Sequence, residues 1–312
     1  MRKNIVLRYI SLLAVTSLIF FGCKKDPYKG VVSNERSIEA VTLGNGLVQV
    51  GPAIVDRVSG TVSVKVLMQA GTDLSKVAPL VQPSYKATVS PASGETVNFA
   101  ASNNVADYTV TSESGQTRKW TIELVPFTET ILGTYTIQGL VLYGGTGPEY
   151  GGGAVMNLTD KPWVWPTADG PSVELDNKLT FEFTGVTPDG KTYGTVTNDA
   201  GADGKYANFI FIRNATTEID VNRFYRKIPK GESKWERDYT ANTIKFTFPD
   251  GSTTLGTFKG AEILDLGNGK TKTIRDNSFD FTLNGTDDWG NIYSDFDKFV
   301  QRPRRFWIDV KK

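Results

Sequence analysis

The chain has 312 residues, with 35 Lys+Arg against 34 Asp+Glu, no histidine and one cysteine. Without histidine, imidazole-based hydrolysis at neutral pH and His/Cys zinc sites are excluded, which leaves carboxylate chemistry and oxygen-ligated calcium. A near-neutral balance argues against nucleic acid as a partner, and a single thiol cannot form an internal disulfide.

Arg2, Lys3 and Arg8 form a basic start, and Tyr9 to Phe21 is an apolar run broken by Ser11, Thr16 and Ser17. That run is shorter than the roughly 20 residues a bilayer crossing needs, so residues 1–22 are expected to be a cleaved secretion signal. Gly22-Cys23 follows and resembles the bacterial lipobox, with Phe20 where that family usually has Leu. The resemblance implies lipidation of Cys23 and a chain anchored to, but not spanning, a membrane. An ordinary secretory signal is the alternative. Loss of the signal leaves 32 basic against 34 acidic residues. Residues 24–36, with Pro27, Gly30 and Ser33, are expected to continue from Cys23 as a flexible tether (23–36).

The rest predicts an all-β protein of two domains. Over 37–126, Val62, Val64 and Val66 alternate with Ser63 and Lys65, and Trp120, Ile122 and Leu124 alternate with Thr121 and Glu123. Such period-2 runs predict strands with one buried face. Gly71-Thr72-Asp73 and Ser114-Gly115 mark turns. About seven short strands predict a small sandwich of immunoglobulin type, with Trp120 in its core. The strings Ala70-Gly71-Thr72-Asp73-Leu74, Ala87 to Gly94, Val97-Asn98-Phe99, Tyr108 to Thr111 and Trp120-Thr121-Ile122 resemble an immunoglobulin-like module. It occurs near the N-terminus of surface lipoproteins of Bacteroidetes-type bacteria, among them surface glycan-binding proteins of polysaccharide-utilisation systems. The resemblance implies a spacer domain and an outer-membrane, surface location. It further implies glycan as the ligand and a neighbouring outer-membrane transporter as a partner.

Pro126 ends that region, because proline removes a ladder donor. Over 129–312 large apolar groups recur two apart, as in Phe181/Phe183, Phe209/Phe211, Ile244/Phe246/Phe248, Phe279/Phe281/Leu283 and Phe306/Ile308/Val310. Ten to twelve strands predict a larger jelly-roll-like sandwich, with a lipocalin-like barrel as the rival.

Candidate site residues lie in this second region. Prolines flank Trp163 and Trp165 in Lys161-Pro162-Trp163-Val164-Trp165-Pro166. An extended segment would set both indoles on one side. A glycine-rich loop from Tyr143 to Gly153 precedes them and carries Tyr150; it lacks the Gly-Lys-Ser/Thr ending of a phosphate cradle. Trp289 lies in a polar run that continues to Tyr293. Trp307 is out of phase with Phe306, Ile308 and Val310, so it is exposed unless a second layer covers it. Flat rings on loops suit the C–H faces of sugars, and Trp163, Trp165, Tyr150, Trp289 and Trp307 are the candidates. Core tryptophans are the competing reading. Asp287, Asp288 and Asp295 are weak candidates for calcium, competing with a solvated acidic loop. No local pattern singles out a pair of catalytic carboxylates. The expected activity is therefore glycan binding without a cofactor, with no enzyme activity. A protein-binding adhesin or a carboxylate glycosidase is the alternative.

Overall fold

The computed structural model describes residues 30–312 apart from positions 45, 69 and 70. The signal segment, Cys23 and the first part of the expected tether lie outside the described residues.

Seven strands build the first domain: β1 (Ile38–Leu43), β2 (Ile54–Asp56), β3 (Thr61–Leu67), β4 (Pro79–Pro83), β5 (Thr88–Ser90), β6 (Val105–Thr111) and β7 (Thr117–Phe127). One sheet has the order β2-β3-β7-β6-β5, and β1 pairs with β4 in the other. The β3–β7 contact is parallel. Alternation places Val62, Val64, Val66, Tyr108, Val110, Trp120, Ile122 and Leu124 between the sheets with Ile38, Val41 and Val81. Trp120 is buried and donates its indole N–H to the Arg36 carbonyl at 3.0 Å.

The second domain comprises β8 (Gly133–Gly144), β9 (Ala154–Asn157), β10 (Lys178–Val186), β11 (Thr192–Asp199), β12 (Ile210–Asn214), β13 (Thr217–Asp220), β14 (Gly231–Asp238) and β15 (Thr243–Thr247). It continues with β16 (Thr253–Lys259), β17 (Glu262–Asp265), β18 (Thr271–Ile274), β19 (Asn277–Thr282) and β20 (Pro303–Lys311). Eight of these run antiparallel in the order β10-β11-β14-β15-β16-β19-β20-β8, and β8 pairs back onto β10. The jelly-roll expectation is thereby corrected to its rival, a closed barrel. Closure depends on the length of β8. Its first residues, Gly133 to Thr136, pair with β10, and the stretch from Thr136 to Gly144 pairs with β20. Sealing the sheet on itself removes its open edges. Most consecutive barrel strands are hairpin neighbours, whereas a jelly roll needs long crossovers between two sheets.

Eight strands leave an interior that side chains fill. Tyr135, Phe181, Trp235, Phe246, Phe279, Phe281 and Phe306 occupy it, and Phe181 stacks on Phe279 at 5.4 Å. The segments before β10 and between β11 and β14 fold over one mouth. There Glu174 accepts from the Arg226 guanidinium at 2.6 Å, from the Ala207 N–H at 2.7 Å and from the Asn177 amide at 3.1 Å. The Glu174 lone pairs are thus bonded, which offsets the desolvation of the ion pair, while the Arg226 Nε has no partner in the protein.

The register defines two mouths. Gly144, Pro303, Thr282, Lys178 and Asp199 mark one. Gly133, Val186 and Asp238 mark the other, and the sandwich abuts this second mouth. The Gly51 N–H donates to the Gly190 carbonyl at 2.9 Å, and Phe127 meets Tyr239 edge-on at 4.7 Å. At the boundary the buried Glu129 carboxylate accepts from Arg237 at 3.0 Å, from the Tyr239 hydroxyl at 2.6 Å and from the Thr192 hydroxyl at 2.6 Å. Burial and the bond to Glu129 push the Tyr239 phenol well above its usual range.

Candidate functional site

The mouth remote from the sandwich carries the exposed rings. Its first component is the glycine-rich loop after β8. The Thr146 N–H and hydroxyl both donate to the buried Asp297 carboxylate, at 2.7 and 2.8 Å. The Thr146 oxygen accepts the Asp288 N–H at 2.7 Å. One threonine thus ties the glycine loop to the 284–301 segment, whose end is a π-helical turn, Asp297–Gln301. Such turns are rare and frequently found at functional sites. Gly147 is indispensable in this arrangement. It has φ +57°, and a Cβ there would lie 2.9 Å from the Trp289 ring. The indole therefore rests on bare backbone.

Three rings stand out from these loops: Tyr150, 66% exposed, Trp289, 56%, and Tyr293, 61%. Tyr150 and Trp289 have ring centroids 6.0 Å apart at 62°. The Tyr293 hydroxyl donates to the Tyr150 carbonyl at 3.2 Å. Tyr293 sits at φ +78°, a costly conformation for a bulky residue that persists only where its surroundings enforce it. Below it the Lys298 ammonium donates to the Tyr293 carbonyl and, at 3.2 Å, to that of Ser294. Burial lowers the Lys298 pKa, against the opposing pull of Asp295 and Asp297. Tyr293 was not among the rings expected from the sequence, because it lies inside an acidic run and no local spacing marks its backbone.

The expected tryptophans separate. Trp163 is 65% exposed, with the Lys161 ammonium 5.1 Å from its ring centroid. Lys161 also pairs with Asp295 at 3.3 Å, which brings Trp163 to the same mouth as Tyr293. Trp165 is core, as the competing reading has it, and leaves the candidate surface set. Its N–H donates to the Leu158 carbonyl at 2.8 Å, and its ring meets Phe209, Phe211, Tyr225 and Phe299 edge-on. The cause is a 3₁₀ turn at Pro162–Val164, which turns residues two apart about 120° away from each other instead of setting them on one side. Trp307 is also removed from the surface set. It is fully buried on the outer barrel wall, beneath Leu264 and Leu266 of the β17–β18 hairpin region.

The acidic candidates point to separate partners. Asp287 lies 2.7 Å from Arg302 and 3.3 Å from Arg304. Asp288 accepts the Asn291 amide at 2.7 Å, and Asp295 pairs with Lys161. Among the described residues, no group of three His, Cys, Asp or Glu side chains converges as metal ligands. The calcium grouping is corrected accordingly: cations and loop amides of the chain itself hold these carboxylates apart.

A family model described as SGBP, N-terminal, matches residues 40–124. A Bacteroides fragilis structure provisionally described as a secreted protein is 16% identical over 30% of this chain and 95% of that one, with a TM-score of 0.25. A Bacteroides thetaiotaomicron structure provisionally described as a glycoside hydrolase is 13% identical over 90% of this chain and 84% of that one, with a TM-score of 0.28. No curated protein matches the chain. Over residues 40–124 the chain is thus similar to the N-terminal module of surface glycan-binding proteins.

Proposed function

We propose that the protein is a lipid-anchored surface protein of the outer membrane that captures polysaccharide through the barrel mouth remote from its N-terminal module. The observation that carries this reading is the cluster of Tyr150, Trp289 and Tyr293, exposed on a bonded loop pair, with Trp163 at the same mouth. Exposed rings of this size suit the apolar faces of sugar rings, while Asp287, Asp288 and nearby carbonyls offer hydroxyl partners. The matched module supports glycan as the ligand class. Cys23 would carry the lipid, and a neighbouring outer-membrane transporter would receive the captured chain.

The role is binding rather than hydrolysis. Glu129, Glu174, Asp280 and Asp297 are buried and each anchors neighbouring segments through ion pairs or hydrogen bonds. A glycosidase needs two carboxylates facing each other across the scissile bond.

A glycan array followed by calorimetry tests the reading. Trp289→Ala should weaken binding at least about tenfold, since a stacked ring contributes on the order of 1–3 kcal/mol. Unchanged affinity in Trp289→Ala and in Tyr150→Ala would reject this mouth as the site. Cys23→Ser should move the protein from the membrane to the soluble fraction.

A further inference from the structure

A groove of about 630 Å³ runs along the outer barrel wall between β8, β9, β20 and the β17–β18 hairpin. This volume falls in the range of small-ligand sites. Its floor exists because position 139, in the middle of β8, has no side chain. A Cβ there would make only ordinary contacts, 3.5 Å to Asn157 and 3.7 Å to Asp309. Gly139 borders a bulge in the β8–β20 ladder, between Asp309 and Val310, a common setting for a strand glycine, and its missing side chain leaves the groove floor open.

The charges around the groove balance. Lys272, Arg275 and Lys311 face Asp160, Asp276 and Asp309, and Lys272 bonds Asp309 at 2.6 Å. Neither a polyanion nor a polycation is favoured by such a lining. Val141, Val155 and Met156 add an apolar strip, and Val141 and Val155 pack against Trp307. Two polar atoms at this wall have no hydrogen-bond partner in the protein: Nε1 of the fully buried Trp307 and Oδ1 of Asp309. An unpaired buried polar group is costly. The hairpin that covers them shares no ladder with the barrel and is held by Leu264, Leu266 and the Lys272–Asp309 pair.

We propose that this groove is a second carbohydrate subsite, taking a neutral oligosaccharide segment, with the β17–β18 hairpin as one wall and Asp309 at its base. Mixed donors and acceptors beside an apolar strip match a sugar ring, one of whose hydroxyls would pair the orphan Asp309 oxygen. The proposal rests on the glycan reading above but places the ligand on a different surface.

Gly139→Gln fills the floor without backbone strain, and Trp289→Ala removes the ring at the mouth. The full chain in detergent is titrated with hexasaccharides of cellulose, xylan, mannan and inulin. Two equivalents bound, falling to one in either variant, is the expected result. A single equivalent lost in Trp289→Ala and unaffected in Gly139→Gln overturns the groove and leaves the mouth standing. A single equivalent lost in Gly139→Gln and unaffected in Trp289→Ala supports the groove and overturns the mouth. Binding of none of the four rejects both surfaces for these glycans. Groove affinity should change less than about twofold between low and high salt, because surface charges screen but neutral contacts do not. A steep salt dependence would overturn the neutral ligand class.

Discussion

Replacing Trp165 by alanine tests whether the Trp-x-Trp segment divides between core and surface. The perturbation deletes a ring buried to 3% exposure that meets four aromatic neighbours edge-on, and it strands the Leu158 carbonyl. Large-to-small changes of this kind cost about 3–5 kcal/mol. For a domain of this size each kcal/mol is worth about 2–4 °C in melting temperature, so the melt should fall on the order of 10 °C. Trp163→Ala, at an exposed position, should melt within about 1 °C of the parent. Trp165→Phe keeps a ring but loses the N–H donor, and should fall between the two. Differential scanning calorimetry of the three variants decides the matter. A drop below about 2 °C for Trp165→Ala, or equal drops for Trp163→Ala and Trp165→Ala, would refute the division.

Glu129→Ala leaves Arg237 buried without its partner and should destabilise the protein by about 3–5 kcal/mol in denaturant titration, more than any exposed acidic substitution. Gly147→Ala drives a methyl group against the Trp289 ring at a strained backbone angle, so glycan affinity should drop with little loss of cooperativity in unfolding. Burial, with a smaller push from Glu95, raises the Tyr108 phenol to about 12 from an ordinary 10.0. Its contribution to stability is whole below pH 10 and is lost as pH climbs through that interval, because the unfolded chain ionises first. The Tyr108 hydroxyl has no partner, so Tyr108→Phe should be neutral or stabilising at pH 7 and should flatten the alkaline slope in urea melts.

Much of the strand content was legible in residues alone. Val62/Val64/Val66 and Phe279/Phe281 alternate because one pleat face is buried, and both sets lie in cores. The same alternation is common to a sandwich and a barrel, so period could not decide between them. The deciding contact, Gly133 to Thr136 of β8 with β10, joins segments some forty residues apart. Trp163 and Trp165 misled because flanking prolines suggest extended chain, whereas proline at a first helical position equally starts a turn. The fate of Trp307 hung on a cover supplied by a distant hairpin, which no pattern around Trp307 encodes. Tyr150 and Trp289 were visible as rings beside glycines; their pairing was not, since Asp297 joins their loops across a wide stretch of sequence.

The Glu129 junction has a mechanical consequence. Under the proposed function, a polymer held at the remote mouth and pulled by flow would transmit tension through the barrel to the N-terminal module. Residue 129 lies on that force path. Its carboxylate is gripped by Thr192 of β11, Arg237 of β14 and Tyr239 just beyond β14, so a load there would divide among several bonds. Bonds loaded in parallel must fail together, and such a joint yields at higher force than the same bonds peeled one after another. The boundary between the two domains would thus be a coupling that resists extension, and tension applied at the remote mouth would reach the module with little slack taken up between the domains.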